Sequence, residues 1–127
     1  MTTKRILLID DEADLREVAQ LSLEMVGGWQ VIEGSSGSEG LAKAESEQPG
    51  AILLDLMMPD MDGWEVYQQI KADEKTKNIP VIVVTAKAQS IDKVLGLHIA
   101  KVDDYIAKPF NPKELLASVE RVLQKQA

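Results

Sequence analysis

The 127 residues carry 21 acidic against 14 basic side chains, a formal charge of -7, with 45% of the chain apolar and no cysteine. A chain of this length closes a core without disulfides or structural metal, and the missing cysteine removes thiol catalysis, cysteine-ligated zinc and iron–sulfur chemistry. The deficit of base and the few aromatics, two Trp, two Tyr and one Phe, argue against direct nucleic-acid binding, which needs clustered Lys and Arg or a stacking platform.

In chain order, Lys4 to Asp10 is a continuous apolar strand that ends in acid. Asp14 to Val26 follows as a helix with Leu15, Val18, Ala19, Met25 and Val26 as its apolar face, stopped by Gly27 and Gly28. Trp29 to Glu33 is a weak second strand, and Ser36 to Glu47 a short helix whose apolar side is Leu41, Ala42 and Ala44, ended by Pro49 and Gly50. Ser35, Ser36 and Ser38 read as loop and cap residues. Ala51 to Leu56 is a third strand, Gly63 to Lys71 a helix with Val66, Tyr67 and Ile70 inward, and Val81 to Val84 a β-branched central strand. A fourth helix over Ile91 to Ile99 and a short fifth strand over Tyr105 to Ala107 come next. The last helix has Asn111 as cap, Pro112 at its first position and Glu114 closing a capping-box-like pattern, with Leu115, Leu116, Val119, Val122 and Leu123 as its stripe. The longest apolar runs are strand-sized, so neither a membrane span nor a signal peptide is expected. The expectation is one cytoplasmic domain over residues 1–127.

Apolar strands alternating with helices imply an open, doubly wound parallel sheet with helices on both faces, which binds ligands outside the carboxyl ends of its strands. Acid collects at that edge: strand one ends in Asp10, Asp11 and Glu12, strand three in Asp55, while strand four ends in Thr85 and strand five is followed by Lys108. Each has an ordinary explanation when taken singly: a helix-start acid, a strand-closing Thr, a solvated Lys. Together, adjacent parallel strands bring Asp10, Asp11 and Asp55 within a few ångströms, an arrangement that calls for a cation or a shared proton. Oxygen-only ligands in a partly open site favour Mg²⁺, and with it phosphoryl transfer in which Lys108 and Thr85 add stabilisation and Asp55 is the nucleophile. Glu12 reads equally as a site member or a helix-start acid.

The run DLMMPDMDG from Asp55 to Gly63, the pair Asp10 and Asp11 after ILLI, TAK at Thr85 to Lys87 and DYIAKPF from Asp104 to Phe110 resemble the receiver domain of two-component response regulators. The resemblance covers nearly the whole chain, with four motifs in order at the expected strand ends. It implies a five-stranded flavodoxin-like sheet of order 2-1-3-4-5. By resemblance, Asp55 is the phosphoacceptor, supplied by a histidine kinase phosphohistidine or a phosphotransfer protein. Asp10 and Asp11 hold Mg²⁺ together with Asp55 and the Met57 carbonyl; Lys108 pairs with the phosphoryl group; Pro109 follows a cis peptide bond. Thr85 and Tyr105 form the switch that remodels the surface of the fourth helix, fifth strand and last helix for a downstream effector. Such a domain is no enzyme beyond its own phosphoryl transfer and slow autodephosphorylation.

Gly63 permits tight backbone approach, Met58 and Pro59 shape the loop, Trp64 is expected partly exposed, and His98 reads as a surface residue. Lys101 and Val102 stand where the family has Gly-Ala, and Ser118 where its winged-helix regulators carry a dimer arginine. The expected state is therefore a monomer or a weak dimer, and Lys87 points to slow decay of the phosphoprotein. Rival readings are a Mg²⁺-dependent phosphatase, against which Met57 stands where a second acid is needed, and a flavodoxin-like FMN carrier, against which the acids after strand one repel the phosphate. A phosphorylation-independent interaction module is the remaining alternative.

Overall fold

The computed structural model describes residues 5–25, 27–55, 63–85, 104–107 and 111–126. Five strands, β1 (Arg5–Ile9), β2 (Gln30–Gly34), β3 (Ala51–Asp55), β4 (Val81–Thr85) and β5 (Asp104–Ala107), alternate with helices α1 (Ala13–Met25), α2 (Gly37–Glu47) and α3 (Gly63–Ala72), and a C-terminal helix spans Pro112–Gln126. Hydrogen-bonded neighbours run β2-β1-β3-β4-β5, every pair parallel. The parallel α/β architecture read from the apolar strand runs is the one that forms. The helix expected over Ile91 to Ile99 lies outside the described residues, as do Met57, Lys108, Pro109 and His98. No helix among the described residues is long and apolar enough to cross a membrane.

Two apolar clusters sandwich the sheet because successive strand residues point to opposite faces. Ile6, Leu8, Ala51, Leu53, Ile82, Val84 and Ile106 face Ala19 and Leu23 of α1 and Leu115, Val119 and Val122 of the C-terminal helix. Leu7, Ile9, Ile52, Leu54 and Val81 face Ala44 of α2 and Val66, Tyr67 and Ile70 of α3. Strands covered on both sides need apolar residues at every position, which is why they read as unbroken runs rather than alternating ones.

Two helix faces differ from the sequence reading. Leu23 and Ala19 anchor α1, whereas Val18 and Met25 are exposed, Met25 by 80%. Residues 15, 19 and 23 form one i, i+4 row, and Val18 and Met25 are turned away from that row by the 3.6-residue repeat. On α2 the buried positions are Gly37, Gly40 and Ala44, while Ala42 is exposed, because the helix lies too close to β1 for larger residues on its inner side. A Cβ added to Gly40 would fall 2.5 Å from Ile9 Cδ1.

The ends follow local chemistry. Gly28 takes φ +71, the left-handed conformation that stops α1, and the amides of Gly27 and Trp29 both donate to the Leu23 carbonyl. Ser36 caps α2 by accepting from the Glu39 amide at 3.1 Å. Asn111 Oδ1 accepts from the Glu114 amide at 2.8 Å, while its Nδ2 donates to the Glu114 carboxylate at 2.9 Å. The Asn111 cap is the one the sequence pattern expects, but Glu114 closes it on the Asn111 side-chain amide instead of the backbone amide of a capping box. The stripe of the C-terminal helix buries Leu115, Val119 and Val122, with Ser118 among them at 1% exposure. Ser118 is therefore a small residue on the inward face.

Candidate functional site

Strand register brings the acids together. Ile9 pairs with Leu54 in the β1–β3 ladder, so one step further the chain sets Asp10 beside Asp55 at the carboxyl edge. Asp10 and Asp55 are 4% and 2% exposed, and the carboxylates of Asp10, Asp11, Glu12 and Asp55 all offer an oxygen within 4.8 Å of one another. The three aspartates expected to meet do so. Glu12, left open by sequence, joins them, since the turn after β1 keeps it at the same edge.

The turn is built by backbone hydrogen bonding. The Asp10 amide donates to the Gly34 carbonyl at 3.0 Å, extending the β1–β2 ladder by one residue. The Glu12 amide donates to Asp10 Oδ1 at 2.9 Å, an Asx-type turn that swings the chain toward α1 while orienting the Asp10 carboxylate. The guanidinium of Arg16 donates to the Asp10 carbonyl at 2.6 Å and to Glu33 Oε1 at 3.1 Å. Sequence reading did not single out Arg16; its available signal was an Arg six residues after a strand-ending Asp, one turn into the helix.

Thr85 closes β4 one residue beyond Val84, the register partner of Asp55, and pairs with Ala107; Tyr105 pairs with Val83. The register thus brings the Thr85 backbone to the same edge as Asp55. Gly63 is buried at the start of α3. Trp64 is half-buried, with its ring edge-on to Tyr67 at 5.7 Å between centroids.

Four carboxylates crowded this closely repel: a unit-charge pair 4.8 Å apart costs ~3 kcal/mol at an effective dielectric of about 20. The donor set is all oxygen, with Asp10 and Asp55 buried, Asp11 half-exposed and Glu12 exposed, so water reaches one side. That combination fits Mg²⁺, a hard ion that keeps part of its hydration and binds through few carboxylates. The residues present therefore suit the ion that the motifs imply, with Asp10, Asp11 and Asp55 as the groups to hold it.

Comparison with known proteins gives one answer. The family model of the response regulator receiver domain matches residues 6–120. The alkaline phosphatase synthesis transcriptional regulatory protein PhoP of Bacillus subtilis is 43% identical over 96% of this chain and 49% of its own length. The phosphate regulon transcriptional regulatory protein PhoB of Pseudomonas aeruginosa is 41% identical over 98% of this chain and 54% of its own. The chain spans about half the length of these relatives. Among solved structures, a CheY-like response regulator receiver domain protein from Methanospirillum hungatei superposes with a TM-score of 0.87 at 34% identity, covering 98% of this chain and 97% of that one. The chemotaxis protein CheY4 of Vibrio cholerae gives 0.85 at 28% identity, covering 95% and 99%.

Proposed function

Because the chain belongs to the response regulator receiver domain family, we propose that Asp55 is its phosphoacceptor, charged by the phosphohistidine of a histidine kinase or phosphotransfer protein. The observation that carries this reading is the placement of Asp55 at the end of β3, 2% exposed and clustered with Asp10, Asp11 and Glu12. In the transfer a carboxylate oxygen of Asp55 forms a bond to phosphorus while the phosphorus–nitrogen bond of the donor breaks. The imidazole keeps that electron pair and takes up a proton. Mg²⁺, when bound, would supply positive charge to balance the phosphoryl oxygens.

Asp10, Asp11 and Asp55, with the Met57 carbonyl, would hold that ion, and the Lys108 ammonium would pair with the arriving phosphoryl group. The burial of Asp55 limits the approach of water to its carboxylate, which slows hydrolysis of the product. Thr85 then turns its hydroxyl to the phosphate and Tyr105 moves inward, shifting the population between two packed states of the surface formed by the fourth helix, β5 and the C-terminal helix. Pro109, directly after Lys108, and Gly63, which permits close backbone approach at the start of α3, are the structural residues of this reading. A downstream effector protein or domain reads that surface in the cytoplasm. The domain, over residues 1–127, is a monomer or weak dimer that contacts neither nucleic acid nor membrane directly, and it is no enzyme beyond this transfer and slow autodephosphorylation.

Intact-protein mass after incubation with a small phosphodonor, with and without Mg²⁺, tests the reading on this chain and on Asp55→Asn. The expected result is a Mg²⁺-dependent gain of one phosphoryl group, absent from the variant. Gain at an undiminished level in Asp55→Asn overturns Asp55 as acceptor, and no gain in either protein leaves a phosphorylation-independent interaction module.

A further inference from the structure

We propose that Arg16 is the positioning residue of the acidic cluster, clamping the turn that carries Asp10, Asp11 and Glu12 in the form that accepts a divalent cation; this rests on the metal reading above. The turn between β1 and α1 supplies three of the four clustered carboxylates, and the Arg16 side chain reaches back from α1 to its first residue, while the Arg16 backbone makes the ordinary helical bond to its last. The Arg16 guanidinium donates from Nη1 to the Asp10 carbonyl at 2.6 Å, and the Arg16 backbone amide donates to the Glu12 carbonyl at 3.1 Å. Nε of the same guanidinium donates to Glu33 Oε1 at 3.1 Å, which ties the clamp to β2. Glu33 is itself fixed from α2, where Lys43 Nζ donates to the Glu33 carbonyl. The Arg16 side chain is 15% exposed and that of Glu33 41%, so the guanidinium end of the clamp is largely buried while its carboxylate end meets solvent. Inside the clamp, the Glu12 amide holds Asp10 Oδ1 at 2.9 Å.

Like charges at 10, 11 and 12 push such a turn open. A planar guanidinium opposes this by satisfying a carbonyl and a carboxylate at once in a fixed fork; an ammonium is a point charge without that fork. Charge and position make opposite predictions here. A cation beside an anionic cluster weakens binding of a second cation, so on charge alone removing Arg16 tightens Mg²⁺ binding and replacing it by Lys changes nothing. Positioning requires that both substitutions weaken it.

The test is Mg²⁺ affinity by isothermal titration calorimetry on the unphosphorylated chain, comparing the native protein, Arg16→Lys and Arg16→Met, with circular dichroism to show that each is folded. We expect at least twofold weaker binding for Arg16→Lys and at least threefold for Arg16→Met. Native affinity in Arg16→Lys, or tighter binding in Arg16→Met, overturns the proposal. Arg16→Lys keeps the charge and most of the volume, so it decides the matter even if Arg16→Met does not fold. Asp11→Asn separates the two levels: binding by the native chain that this variant loses upholds the metal reading whatever the Arg16 variants do, and no binding by the native chain overturns both.

Discussion

A Cβ on Gly40 would meet three atoms of Ile9 at 2.5, 2.7 and 2.9 Å, and Ile9 is wholly buried, so any shift moves it against packed neighbours. In an exposed helix Gly→Ala gains about 0.8–1 kcal/mol from backbone propensity; here overpacking opposes it by ~1–3 kcal/mol. The expected net effect of Gly40→Ala is destabilisation by up to ~2 kcal/mol, measured as a lower urea midpoint. The displacement passes along β1 to Asp10, the next residue after Ile9, so Mg²⁺ affinity is expected to fall as well. Nothing in the local sequence marks Gly40 for this role, because the contact joins residues 31 positions apart in the chain. Arg16 escapes sequence reading for a related reason: an Arg on an acidic amphipathic helix is ordinarily a solvated surface residue, and its partner Glu33 lies on another strand.

Among elements, α1 separates packing from periodicity. Leu23 is wholly buried while Val18 is half-exposed. Leu23→Ala is expected to cost ~2–5 kcal/mol and Val18→Ala to stay within about 0.5 kcal/mol, compared by chemical denaturation. Sequence periodicity admits either face when apolar residues occupy both, and only the sheet beneath selects one. α2 carries the pH-dependent feature. Hydrogen bonds to the Glu39 carboxylate, first from the Ser35 amide at 2.6 Å and then from the Ser35 hydroxyl, hold its pKa below the usual carboxylate range, with Lys43 adding attraction. A depressed folded-state pKa contributes stability that is present above the unfolded pKa and lost as pH falls through the folded one. Glu39→Gln should therefore lower the urea midpoint slightly at pH 7 and leave it unchanged at pH values below the folded-state pKa. The effect is small because the group is solvated.

For the whole molecule, the acidic cluster sets folding against function. Asp55 comes from β3 and the other three carboxylates are consecutive in the turn after β1, so folding adds the repulsion between Asp55 and that turn, and relieving it stabilises. Asp11→Asn is expected to raise the metal-free urea midpoint by ~1–3 kcal/mol equivalent. Mg²⁺ should stabilise the native chain by about 2.7 kcal/mol at a hundred times its dissociation constant and the variant by much less, measured as the shift in thermal midpoint on adding the ion. An Asp11→Asn chain less stable than the native one without metal would show that Asp11 is structural rather than a strained ligand.

The sequence by itself determined the alternation of strands and helices, the parallel sheet, the cap at Asn111, and the gathering of Asp10, Asp11 and Asp55. These follow from local periodicity and from one topological rule, that parallel strands present their carboxyl ends along a common edge. Tertiary structure decided which side of α1 is buried, that α2 approaches β1 through glycines, that Glu12 joins the cluster, and that Arg16 closes the turn beneath it. Each of these depends on contacts between segments far apart in the chain, whose distances emerge only when the helices settle onto the sheet.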